Sequence, residues 1–249
     1  MTLGIFFSDK IKWLLLTFLI GGPIYYGFIK VIIWGGQQLY IYLSVFSVVV
    51  LIIMINLIPN VIMPLFNKYT DLEEGKLKEQ IVQLAKEINF PLSKIYVVDA
   101  SKRSAHSNAN YYGFGNNKRI VLFDTLIKQH VGEQGIDEIV AIVRHELGHW
   151  QYMHPLMSLI YSVSNLVAMF TLFSLVINNH LLLSQFGFKF ESNFVSFFLF
   201  TKVYELFSWI SSFFQTLITR KMEFAADRFA ALDPNYGPAL CRALIKIHI

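Results

Sequence analysis

His145, Glu146, Leu147, Gly148 and His149 place two imidazoles and a carboxylate within five residues. Helical residues four apart share one face, about one turn apart. His145 and His149 can therefore both reach one zinc ion, with Glu146 beside them to take a proton from water activated there. The H-E-x-x-H pattern alone is only moderately specific, and its surroundings raise it. Apolar Ile139, Val140, Ile142 and Val143 precede the motif and Trp150 follows it. The histidines thus sit on a largely buried helix, where polar side chains without partners are costly. A metal ion supplies the partner.

A catalytic zinc needs a third protein ligand and one position open to water. The metzincin continuation would put histidine at position 155, which is Pro155, and His154 is one residue out of register. No Asp or Glu occurs between Glu146 and Glu191, so a carboxylate ligand soon after the motif is excluded. Glu191, Glu205, Glu223, Asp227 and Asp233 remain. Glu191 falls in a short connection and Glu205 in an apolar segment, whereas Glu223 opens Glu-Phe-Ala-Ala-Asp, a Glu and an Asp one helical turn apart. Such a pair can divide the work. Glu223 is expected to bind the metal, and Asp227 to accept a hydrogen bond from a ligand imidazole, fixing its tautomer. The bland alternative is an exposed acidic pair balancing Arg220, Lys221 and Arg228.

The elements that must position these groups are mostly apolar. Hydrophobic residues make up 55% of the 249 and charged residues 15%, against about 25% charged in a soluble domain, and the mean hydropathy is +0.49. This is membrane-protein composition. The single cysteine, Cys241, can form no internal disulfide. The net charge of +4 is spread as single residues, without the basic stripe that nucleic acid requires. An apolar run at Trp13–Ile20 has signal-peptide length, but no small-residue cleavage site follows and hydrophobicity resumes after Pro23, so cleavage is not expected.

Crossing the hydrocarbon takes about 20 apolar residues, and four segments qualify. Trp13–Ile29, interrupted by Gly21, Gly22 and Pro23, reads as a kinked span or two half-helices; Leu39–Ile58 is the cleanest. Pro155–Ile177 is uncharged, and Phe194–Thr219 carries Lys202 and Glu205, which must face a wet interior or snorkel to an interface. Between spans two and three lies a polar α+β domain. Asp71–Ile88 is an amphipathic helix, Ile95–Val98 and Ile120–Phe123 are strands around the polar stretch Ser101–Lys118, and Ile136–Tyr152 is the motif helix. The fold is therefore mainly α: a polytopic membrane helical bundle with an inserted small α+β domain that carries the zinc motif. Residues 1–59 hold spans one and two, 60–154 the polar domain, 155–220 spans three and four, and 221–249 the third-ligand helix and a C-terminal segment. The motif precedes span three and Glu223 follows span four, so the ligands meet if those spans are an antiparallel pair.

The segments "PLFNKYTDLEEGKLKEQIVQLAKEINFPLSKIYVVDASKRSAHSNANYYGFGNNKRIVLFDTL", "RHELGHW" and "RKMEFAADRFA" resemble the Ste24 group of membrane zinc metalloproteases, the type I CAAX prenyl proteases. The resemblance implies an integral protein of the endoplasmic reticulum or inner nuclear membrane. It implies cleavage of proteins ending in a lipidated cysteine and three further residues, with prenylated CAAX proteins and membrane lipid as partners. It also implies one zinc per chain on His145, His149 and Glu223, and Glu146 as catalytic base. A strand near Ser107–Gly113 would let a substrate peptide lie alongside it, with Asn108 and Asn110 as candidate substrate contacts. The bland reading of those asparagines is a turn.

That group has seven spans, so two would precede this chain, and its C-terminal histidine and arginine that bind the substrate carbonyl would follow it; the chain is expected to be shortened at both ends. The competing readings are a membrane quality-control metalloprotease of the HtpX type, an inactive zinc-binding scaffold, and a channel, for which the spans offer few polar groups.

Overall fold

The computed structural model of the chain describes residues 2–103, 108–177, 179–187 and 193–248. It contains two compact units, residues 1–10, 55–155 and 220–249, and residues 11–54 and 156–219.

The first unit is the polar domain. Its four strands, β1 (Tyr69–Asp71), β2 (Leu92–Val98), β3 (Ala109–Phe114) and β4 (Asn117–Phe123), lie in the order β1-β2-β4-β3. Strands β2 and β4 are parallel, and the outer strands run antiparallel to their neighbours. The apolar runs expected at 95–98 and 120–123 are the C-terminal halves of the two inner strands. The helix expected over Asp71–Ile88 is α1 (Lys76–Glu87): Asp71 belongs instead to β1, where Thr70 pairs with Val97. Strand β3 lies within the stretch 101–118; Ser107, at the start of the expected peptide-binding segment, falls outside the described residues.

Helix α2 (Asp124–Gln129) follows β4, and α3 (Gly132–Gln151) carries the H-E-x-x-H motif. Ile139, Val140, Val143 and Leu147 of α3 pack with Ile81 and Leu84 of α1 and with Ile120 and Leu122 of β4 in one core. Burial of each such side chain is worth about 1.5–3 kcal/mol. The sheet side of this core fixes the rotation of α3 about its own axis, and so the direction in which its histidines point.

A fully buried carboxylate fixes the other side. Glu138 of α3 lies 2.6 Å from His130 Nδ1 and accepts a hydrogen bond of 2.6 Å from Lys246, with Arg242 at 3.4 Å. Lys246 and Arg242 belong to α5 (Tyr236–His248), which follows the long helix α4 (Asn193–Ala231). Burial alone would raise the Glu138 pKa; the bonds from Lys246 and His130 outweigh it and hold the group ionised. Removing one partner of such a buried cluster leaves charge uncompensated.

The second unit holds most of the apolar helical chain. Four stretches are long and apolar enough to cross a membrane: Leu3–Trp34, Leu39–Phe66, His154–Ile177 and Phe194–Ala231. The first is two α-helices, Leu3–Leu16 and Gly22–Trp34, joined by a π-helical turn at Thr17–Gly21, where Pro23 has no N–H to donate. At Gly27 an added Cβ would come within 2.9 Å of the Phe46 ring, so glycine there lets the first two spans approach. The last two run antiparallel: the Tyr161 hydroxyl donates to the Ser211 carbonyl at 2.5 Å and Phe173 meets Phe200 edge-on at 5.1 Å. Lys202 and Glu205 pair with each other at 3.0 Å on an exposed face. The expected fourth span and third-ligand helix are one uninterrupted helix, α4.

The chain leading to β3 is anchored by Asp124, whose carboxylate accepts hydrogen bonds from Ser101 N at 2.8 Å, from the Ser101 hydroxyl, and from Lys128 at 2.7 Å. Burial opposes ionisation, but these bonds win and hold its pKa at about 2. A depressed carboxylate pKa contributes stability that is present above the unfolded value and lost as pH falls through the folded one. Asp124→Asn should therefore cost about 2 kcal/mol at neutral pH, with the gap to wild type narrowing between about pH 4 and pH 2; chemical unfolding in detergent measures it.

Candidate metal centre

Helix α3 presents His145 and His149 on one face, as the four-residue spacing requires, and α4 brings Glu223 and Asp227 to them. The helices approach this closely because the seam between them is built from small residues. Gly148 lies between the two histidines, and a Cβ added there would meet Ala226 Cα at 3.2 Å and Phe229 Cδ1 at 3.1 Å. Ala226 and Ala230 on α4 are fully buried. Arg144, next to His145, closes the end of the seam: its guanidinium carbon stands 5.4 Å from the Phe229 ring centre and 5.5 Å from that of Tyr236 on α5.

The donor atoms converge. His145 Nε2 and His149 Nε2 are 3.2 Å apart, and each is 3.6 Å from the same oxygen of Glu223. Ligands about 2.0–2.1 Å from a tetrahedral zinc stand about 3.3 Å from one another, so the triangle is the size of one face of that coordination sphere. With both rings in the tautomer that leaves Nε2 unprotonated, two imidazole lone pairs can share one cation, and a carboxylate completes the set. Among the described residues, His145, His149 and Glu223 are the group whose side chains can hold a metal ion in this way. Burial, and then the His145 ring, lower the pKa of His149 toward the neutral form a metal requires.

The outer nitrogens of the two rings have different neighbours. Asp227 Oδ1 is 2.9 Å from His145 Nδ1 but off the N–H axis, leaving that nitrogen without a closed hydrogen bond. His149 Nδ1 is 2.8 Å from Nδ1 of His154, a residue the spacing rules had set aside as out of register. Nothing in the sequence signals that contact. Glu191 lies outside the described residues, Glu205 pairs with Lys202, and Asp233 stands 3.9 Å from Arg144.

The charge of Glu146 reaches Tyr111 and Tyr112 of the edge strand. Burial, and then the negative charge of Glu223, push the Glu146 pKa up to about 7. The Tyr111 hydroxyl on β3 is pushed up to about 12 by burial and by the charge of Glu146. Strand β3 borders the sheet. Phe123 N donates to Asn108 O, so by antiparallel alternation Asn108 and Asn110 turn their main chain toward β4, and Ala109, Tyr111 and Gly113 turn theirs toward the open side. The Asn108 side chain accepts from Ala109 N at 2.8 Å. A cavity of about 200 Å³ bordered by Met63, Tyr69, Arg103 and Tyr112 contains none of these ligands.

Comparison with known proteins places the chain in a family. The family model described as "Peptidase family M48" matches residues 71–248, and that described as "CAAX prenyl protease N-terminal, five membrane helices" matches residues 1–68. The chain belongs to peptidase family M48. It is 42% identical to the CAAX prenyl protease 1 homolog of Oryza sativa subsp. japonica, over 99% of this chain and 57% of that protein. It is 38% identical to CAAX prenyl protease 1 of Saccharomyces cerevisiae, over 100% of this chain and 57% of the yeast protein. The crystal structure of S. mikatae Ste24p superposes with a TM-score of 0.85 at 38% identity, over 99% of this chain and 60% of that one. The chain thus spans somewhat more than half the length of these relatives.

Gly148→Val should force α3 and α4 apart. The expected outcome is a folded protein that no longer retains metal through detergent purification, measured by elemental analysis; full metal occupancy would show that the seam does not set the ligand distances.

Proposed function

We propose that the chain forms the catalytic part of a zinc-dependent membrane endopeptidase that cleaves peptide bonds near the C-terminus of prenylated CAAX proteins, in the endoplasmic reticulum or inner nuclear membrane. One observation carries the reading: three donor atoms spaced for one metal ion, with a partly buried carboxylate, Glu146, next to the first of them in the chain. The names of the similar proteins support the substrate class, and lipidated substrates suit a protein whose motif ends five residues before a membrane span.

His145, His149 and Glu223 would hold one zinc per chain, and Asp227 would orient His145. When bound, zinc polarises the scissile carbonyl and lowers the pKa of water at the site. Glu146 takes the proton from the attacking water and passes it to the leaving amine nitrogen as the C–N bond breaks. The substrate backbone adds to the open side of β3 through the main chain of Tyr111 and Gly113 and the carbonyl of Ala109, which sets the scissile bond with little demand on side chains. Asn108 and Asn110 would contribute through their side chains.

Glu146→Gln should keep one zinc per chain and lower cleavage of a farnesylated CAAX peptide by about 100- to 10,000-fold. Cleavage at the wild-type rate would remove Glu146 as the base.

A further inference from the structure

We propose that His154 is the positioning residue for His149, and that a left-handed turn at Met153 is the backbone device that brings it there. The inference rests on the reading of His145, His149 and Glu223 as metal ligands. In an uninterrupted helix, residues five apart point about 140° away from each other, so His154 could not reach His149 by helical geometry. The helix is interrupted. Tyr152 N donates to Gly148 O at 3.1 Å and Met153 N to Trp150 O at 3.0 Å, closing α3, and Met153 then takes φ 54° before a new helix opens at His154.

Two non-glycine residues have positive φ among the described residues, Asn89 and Met153. Asparagine adopts that region readily, because its short polar side chain bonds locally. Methionine has no such compensation and costs about 1–2 kcal/mol there. Strain of this kind persists where the surroundings over-determine it, and it gathers at functional sites. Its result is a buried His154 whose Nδ1 lies 2.8 Å from His149 Nδ1, with ring centres 5.0 Å apart.

The geometry assigns the tautomers. His149 Nε2 faces His145 and Glu223, so it must offer a lone pair to the metal, and its proton is on Nδ1. His149 Nδ1–H therefore donates, His154 Nδ1 accepts, and the His154 proton is on Nε2. The two ligand histidines are thus served unequally. His145 has an anionic neighbour, Asp227, and His149 a neutral acceptor that fixes the ring without adding charge. Two ligand-orienting carboxylates and Glu223 would together exceed the charge of a zinc ion; one carboxylate and one imidazole do not.

The test uses the full chain in detergent and reads zinc affinity by competition with a chelator, the visible spectrum after cobalt substitution, and the melting temperature without metal. His154→Leu should weaken zinc binding about 10- to 100-fold and alter the cobalt bands, with the metal-free melting temperature close to that of wild type. His154→Asn, whose side-chain oxygen accepts from about the same place as Nδ1, should restore most of the affinity. Equal affinity in wild type and His154→Leu would overturn the inference while leaving the ligand assignment intact. So would a His154→Asn variant as weak as His154→Leu, since the acceptor would then not matter. A wild-type chain that bound no zinc would overturn the ligand assignment, and this inference with it.

Discussion

The closeness of α3 and α4 is the constraint on which the rest depends. Two histidines on one helix can face a metal but cannot enclose it; the third ligand must come from elsewhere at a distance fixed to a few tenths of an ångström. Gly148 against Ala226 sets that distance, because the backbones meet with no side chain between them. The remaining packing keeps this contact in register. The Ile139 and Val143 face of α3 is fixed by the sheet, Glu138 binds α5, and Arg144 lies between Phe229 and Tyr236.

The site's electrostatics follow from the same geometry. Glu223 and Asp227 are half-exposed, whereas Glu146 is partly buried and feels both desolvation and the charge of Glu223. The carboxylates of the candidate metal site thus differ in environment, as the proposed division between a ligand and a proton carrier requires. Strand β3 completes the arrangement, with main-chain groups open on one side and Glu146 acting on its tyrosine hydroxyls.

Much of this was legible in the sequence because it depends on local periodicity. His145 and His149 are readable from their spacing, β2 and β4 from their apolar runs, and the spans from length and composition. Glu223 was readable because few carboxylates remained and only one had a partner a turn away. The features that escaped are those in which tertiary context overrides local preference. Strand β1 is three residues long and exists through its pairing with β2. Strand β3 is a polar segment held at an edge, expected only from the resemblance. His154 reaches His149 through a backbone conformation that methionine disfavours, so no propensity rule predicts it. The continuity of α4 escaped for a simpler reason: the change from apolar to charged residues at Arg220 marks a change of surroundings, not the end of a helix.

The most direct test of the account is zinc X-ray absorption on the purified chain, compared with a Glu223→Ala variant. The account predicts one zinc bound by two imidazole nitrogens and by oxygen, at about 2.0–2.1 Å, with the carboxylate contribution lost in the variant. A sulfur shell near 2.3 Å, or a spectrum unchanged by the loss of Glu223, would contradict it.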